Sequence, residues 1–237
     1  MDKVYFSKDN IDNLLFQLAK EYKKRNRKSN LTAEIIIVGG AAIVSKYGFR
    51  QSTTDIDSLI FASSSMKDAI NIVGDKNGLP PGWINEDFRK TSSYTEKIRQ
   101  YSVEYKKFAY ILEVRMLPAE YDVAMKLASL RPYKYDLSDV VGIIKSAKIT
   151  MEQIEKAVED FYGGFEKLSH PDEARKLLDS IFSSDNLEEL YDSTRTSESD
   201  NHVVLKDIED KYPKLLNEGN IASVLEAAKR KRDNESK

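Results

Sequence analysis

The run Glu34-Ile35-Ile36-Ile37-Val38, closed by Gly39-Gly40, constrains this chain more than any other stretch. It is short, β-branched and without polar alternation, which suits a strand covered by apolar layers on both faces. Such a strand needs neighbours in a sheet and helices above and below it. Gly39-Gly40 then turns the chain into a helix expected over 41–47, and Gly48 is a natural stop for it. After a polar link over 49–54, Asp55-Ile56-Asp57-Ser58-Leu59-Ile60-Phe61 reads as a second strand.

The flanking pattern is helical. Ile11, Leu14, Leu15, Leu18 and Tyr22 form one apolar stripe on a helix over 8–28. Its basic end, residues 20–28, suits either the negative pole of the helix dipole or a phosphate backbone. Ser63 to Ser65 cap a helix reaching about Val73, and residues 74–82 form a loop that delivers the single tryptophan, Trp83, as a core anchor or a base-stacking platform. Irregular structure is expected as far as Lys97. A hairpin follows, with strands over 101–105 and 108–116 joined at Lys106-Lys107. Its second strand puts Phe108, Tyr110, Leu112, Val114 and Met116 on one face, and Ile111, Glu113 and Arg115 on the other. Helices are expected over 118–130, from 136 or 138 to 146, and over 151–167, 172–183 and 203–230, with a polar break at 192–200. The fold class is therefore α+β: a mixed sheet flanked by helices over 1–148, then a helical domain over 149–237.

Composition narrows the chemistry. The 237 residues include no cysteine and two histidines, His170 and His202, which excludes disulfides, thiolate catalysis and Cys-ligated zinc and leaves little for a histidine triad. Catalysis must rest on carboxylates. Thirty-seven basic against thirty-nine acidic side chains give a net charge of -2, so no global basic field marks a dedicated nucleic-acid binder. The basic stretch 229–232 is read as a solvated end or an RNA contact. With an apolar run at 35–44 too short to span a bilayer and no leader pattern at the amino terminus, a cytoplasmic protein without a membrane partner is expected.

Asp55 and Asp57 alternate along a strand, so their carboxylates share a face about 7 Å apart along the backbone. Hard oxygen donors so placed suit magnesium. A third carboxylate on a neighbouring strand would complete a two-ion site, and Glu113 is the best candidate. Gly39-Gly40 at a helix start offers bare backbone N–H groups to an anion.

Taken in order, Gly39-Gly40, Arg50, Thr53, Asp55-Ile56-Asp57 and Leu112-Glu113-Val114 resemble the DNA polymerase beta-type nucleotidyltransferase superfamily over roughly residues 34–116. Ala124-Met125-Lys126-Leu127-Ala128-Ser129-Leu130-Arg131, followed by Tyr135-Asp136-Leu137-Ser138-Asp139, is similar to a motif of the minimal abortive-infection (AbiEii-type) members, many of them toxins of toxin–antitoxin pairs. The resemblance implies that Asp55, Asp57 and Glu113 are the catalytic, magnesium-binding carboxylates. It also implies that Gly39, Gly40, Arg50, Thr53, Lys126, Arg131 and Asp136 hold the nucleotide. The bland alternatives are a solvated helix lysine for Lys126 and a helix cap for Asp136. The implied substrate is an NTP, the acceptor a hydroxyl of RNA, tRNA or protein, and an antitoxin a further partner. A nucleotide-binding regulatory module, an enzyme modifying small antibiotic-type acceptors, and a helical adaptor are the competing readings.

Overall fold

The computed structural model describes residues 4–27, 31–216 and 220–235, with side chains described as far as Lys231. Lys28 and the side chain of Arg232, both part of the basic stretches noted above, lie outside the described residues. Strands β1 (Ala33–Ile37), β2 (Ile56–Phe61), β3 (Ile84–Asn85), β4 (Val103–Phe108) and β5 (Leu112–Met116) form one mixed sheet in the order β3-β2-β1-β5-β4. The isoleucine-rich strand β1 is its centre, antiparallel to β2 and parallel to β5.

Both faces of β1 are covered, as its composition requires. Ile35 and Ile37 join a core made by α1 (Lys8–Arg25), α2 (Gly39–Lys46), α3 (Ser65–Lys76) and Trp83, while Ile36 and Val38 join the opposite layer. That second layer holds the single-turn helix α4 (Ile98–Tyr101), then α5 (Ala119–Ser129), α6 (Asp136–Ala147), α7 (Met151–Tyr162) and α8 (Pro171–Phe182). Its apolar core is continuous across residue 148, since Ile144, Ile154, Val158 and Leu178 belong with Ile36 and Leu59 to one buried cluster. The last helices, α9 (Leu187–Lys211) and α10 (Ile221–Glu235), share a small apolar cluster of Val204, Leu205 and Leu225. Among the described residues no helix is long and apolar enough to cross a membrane.

Helix ends follow local chemistry. Thr150 and Gln153 close a reciprocal capping box on α7, Gly163 ends it at φ +79, and Pro171 opens α8 at its first turn. Trp83 is the core anchor: it is buried, and its indole Nε1 donates to the Ile70 carbonyl at 3.2 Å.

Five expectations are corrected. The helix expected over 203–230 is divided, α9 ending at Lys211 and α10 beginning at Ile221, and the stretch expected to be irregular as far as Lys97 contributes β3 to the sheet edge. The glycines do not precede α2 but begin it. The hairpin reverses at Ala109-Tyr110 rather than Lys106-Lys107: both turn residues have positive φ, +49 and +60, the left-handed pair whose twist matches a two-stranded ribbon. Tyr110 consequently stands in solvent, 97 % exposed, instead of on the apolar face. The polar segment 192–200 is not a break but the middle of α9, because Glu198 and Asn201 are buried there against the rest of the protein.

Gly142 lies where α6 meets the Phe49 ring, and a Cβ there would come within 2.6 Å of the ring. Phe49 cannot retreat, being stacked on Tyr47 and met edge-on by Tyr191. Gly142→Ala is expected to cost about 1–3 kcal/mol, seen as a lower urea midpoint at unchanged slope.

Candidate active site

A cavity of about 570 Å³ opens where β1 ends and β2 begins. Val38 donates its N–H to the Asp57 carbonyl at 3.0 Å, fixing the first turn of α2 beside the start of β2. Gly39 then takes φ +63, and a Cβ on it would sit 3.3 Å from Asp57 Oδ2, so the carboxylate leans on bare backbone. Gly40 is also required: a Cβ there would meet Thr53 Oγ1 at 2.5 Å and Arg50 Nη2 at 3.0 Å.

Asp55 and Asp57 both line the cavity. Among the described residues, neither carboxylate carries a hydrogen bond or an ion pair. Burial, reinforced by the Asp55 charge, pushes Asp57 up to about 6, against the pull of Arg131, Lys126 and Lys134. Two anions are thus held together with nothing bonded to either, an arrangement that a cation relieves.

Glu113 does not join them. It shares the sheet face of Asp57, but the register aligns it with Glu34 and thereby with Phe61, four residues along β2 from Asp57 and about 13 Å away along the strands. There it binds Arg115 at 2.7 Å and approaches Lys107 at 3.7 Å, and the Arg115 hydrogen bond holds its carboxyl below the usual range. Continuing the register places buried Leu117 level with Val38, where a third acid would have to stand. Among the described residues no group of three histidines or carboxylates could hold a metal ion.

The opposite wall is α5. Asp122, Met125, Lys126 and Ser129 line the cavity at helical spacing. Lys126 bridges two fully buried carboxylates, at 2.8 Å from Asp136 Oδ1 and 2.8 Å from Asp139 Oδ2. Asp136 also receives Arg131 Nε at 2.9 Å and the Ser129 hydroxyl at 2.9 Å. Arg50 Nη1 donates to Asp139 Oδ2 at 2.6 Å. Burial alone would raise the Asp136 carboxyl, yet Lys126 and Arg131 together hold it well below the carboxylate range. Lys126 and Arg131 therefore belong both to the cavity wall and to a buried ionic network, whereas Arg50, Thr53 and Asp136 stand behind that wall.

Asp122 and Asp139 were not among the site residues expected from sequence. Asp122 is buried, pairs with Lys46 Nζ at 2.5 Å and accepts from the Tyr47 hydroxyl at 3.3 Å. Its signal was present, an acid one turn before Lys126 on the same face of a largely apolar helix.

Removing Lys126 leaves two buried carboxylates short of a cation, so Lys126→Met is expected to lower stability by about 3–5 kcal/mol in urea titration at neutral pH. The folded Asp136 carboxyl lies below its ordinary value of 3.8, so its contribution is complete above that pH and fades as pH falls further. The stability gap between wild type and Asp136→Asn is expected to be widest at neutral pH and to narrow on acidification below about pH 4.

No curated protein and no solved structure matches the chain. A family model described as a nucleotidyltransferase of unknown function (DUF6036) matches residues 13–204, a span that includes the sheet, the acidic pair, α5 to α8 and most of α9. The chain belongs to this nucleotidyltransferase family.

Proposed function

We propose that the protein is a magnesium-dependent nucleotidyltransferase that moves a nucleoside monophosphate from an NTP to an acceptor hydroxyl. The observation that carries this reading is the unpartnered Asp55–Asp57 pair beside the bare backbone of Gly39, in a cavity whose far wall presents Lys126, Arg131 and Lys134. Two carboxylates fit magnesium, which commonly takes one or two protein oxygens and completes its shell with water and substrate phosphates. Asp55 and Asp57 would hold it. When bound, the ion supplies charge neutralisation for the phosphates.

The chain's own residues then divide the work. Asp55 and Asp57 orient the metal-bound nucleotide, Gly39 admits a phosphate against backbone, and Arg131 and Lys134 offset the charge on the leaving group. The acceptor oxygen bonds to the α-phosphorus as the bond to the bridging oxygen breaks; pyrophosphate departs, and the hydroxyl proton passes to solvent. The acceptor we propose is RNA, tRNA or a protein side chain, as in the toxin-type members that the sequence resembles, with an antitoxin as the protein's regulator.

A second reading, nucleotide binding without transfer, draws on the lack of a third acid among the described residues. Radiolabelled NTPs incubated with magnesium, total RNA and cell lysate separate the two. Transfer is expected into RNA or protein, abolished by Asp55→Ala and Asp57→Ala and retained in Glu113→Gln. Magnesium-dependent binding of NTP without label transfer would favour the binding module, and label on a small acceptor would redirect the substrate class.

The unpartnered pair also predicts a stability effect. Asp57→Asn removes one of two facing charges, so without magnesium it is expected to melt higher than wild type, by about 1 kcal/mol of stabilisation. It should also lose the rise in melting temperature that added magnesium gives the wild type. Calorimetric melts with and without magnesium measure both.

A further inference from the structure

Arg195, Glu198 and Asn201 recur every third residue along α9 and so face one way. All three engage the connection between α5 and α6. The Glu198 carboxylate accepts the backbone N–H of Leu137 at 2.9 Å and of Ser138 at 3.2 Å. Asn201 Nδ2 donates to the Pro132 carbonyl at 2.7 Å, and the Arg195 guanidinium lies over the Tyr135 ring, 3.4 Å from its centroid. Tyr133, from the same connection, packs on the small cluster of Val204, Leu205 and Leu225. Glu198 and Asn201 are 1 % and 3 % exposed.

This connection needs an external hold. Leu130 and Tyr135 at its ends have φ of +39 and +64, a left-handed conformation that costs a residue with a side chain free energy. The N-cap of α6 is Tyr135, which has no side-chain cap, so the first amides of the helix need an acceptor from elsewhere. Glu198 is that acceptor, and its negative charge sits at the positive pole of α6. The same few residues include Arg131 and Lys134 on the cavity wall and Asp136 beneath Lys126. Arg195, Glu198 and Asn201 are themselves absent from that wall.

We infer that α9 is a clasp: Arg195, Glu198 and Asn201 are positioning residues that fix the α5–α6 connection and thereby aim Arg131 and Lys134 at the phosphates of a bound nucleotide. The identity of the ligand rests on the nucleotidyltransferase reading above; the clasp itself rests on the contacts. In the full-length chain, Glu198→Ala, Asn201→Ala and the shape-preserving Glu198→Gln are compared by hydrogen exchange and by calorimetric titration with magnesium tripolyphosphate. Faster exchange confined to residues 131–138 is expected in both alanine variants. Loss of hydrogen bonds to a charged group predicts tripolyphosphate binding about fivefold weaker or more in Glu198→Ala, partly restored in Glu198→Gln. Unchanged exchange over 131–138 overturns the clasp, as does faster exchange with undiminished affinity. If the wild type binds no tripolyphosphate, the nucleotide reading fails, and the exchange result alone decides whether α9 holds the connection. Should Glu198→Ala not fold, Glu198→Gln and Asn201→Ala carry the same readouts.

Discussion

The Lys126 ammonium, held between the fully buried carboxylates of Asp136 and Asp139, is the interaction on which the rest of the structure depends. Buried charges are tolerated only when each finds a counter-charge in good geometry, so this contact leaves little freedom to the elements that supply its members. It locks α5 to α6. Through Arg50 it also reaches the packing behind Gly40, and through Arg131 it reaches the cavity. The wall facing the acidic pair is therefore set by ion pairing within the fold.

The two sides of the cavity differ in kind. The α5 wall is nearly saturated internally, since each of its buried cations already meets an anion. Asp55 and Asp57 are the reverse: they lie close together, and Asp57 ionises with difficulty because burial and its neighbour oppose the charge. A site whose anions are left unmatched while its cations are organised has a destabilised free state, which is the physical basis of the magnesium-nucleotide reading proposed above. Stability has been set aside at one position and secured at the neighbouring one, the usual signature of a functional cavity.

The place of α9 follows from the same ionic logic. Asp136 and Asp139 sit in the first turn of α6, and the amides that open that turn are bound by Glu198 from a helix about sixty residues further on. Helix α9 is thus part of the architecture of the cavity without lining it. Its polar sequence reflects this in part: within the segment that read as a polar break, Arg195 and Glu198 meet a ring and backbone, while most of their neighbours face solvent.

Much of the fold was legible because it depends on short-range periodicity. An all-apolar β-branched run dictated a central buried strand, the stripe through Ile11, Leu15 and Leu18 dictated an amphipathic helix, and the alternation at Asp55 and Asp57 put two carboxylates on one face. Periodicity also assigned Glu113 to the correct face of the sheet. What it could not assign was level: strand register is settled by pairing across the sheet, and this pairing carries Glu113 to the end away from the cavity, beside Arg115 and Lys107. The same holds for Lys126, Asp136 and Asp139, whose spacing was visible but whose mutual burial was not, and for the continuity of α9, which depends on contacts with a segment far away in the chain. By itself the sequence determined most of the element types as far as α8, the buried centre of the sheet and the adjacency of the acidic pair, since these follow from neighbours a few residues apart. Only the tertiary structure decided which charges meet, because strand register and helix docking are fixed by long-range packing that no local pattern encodes.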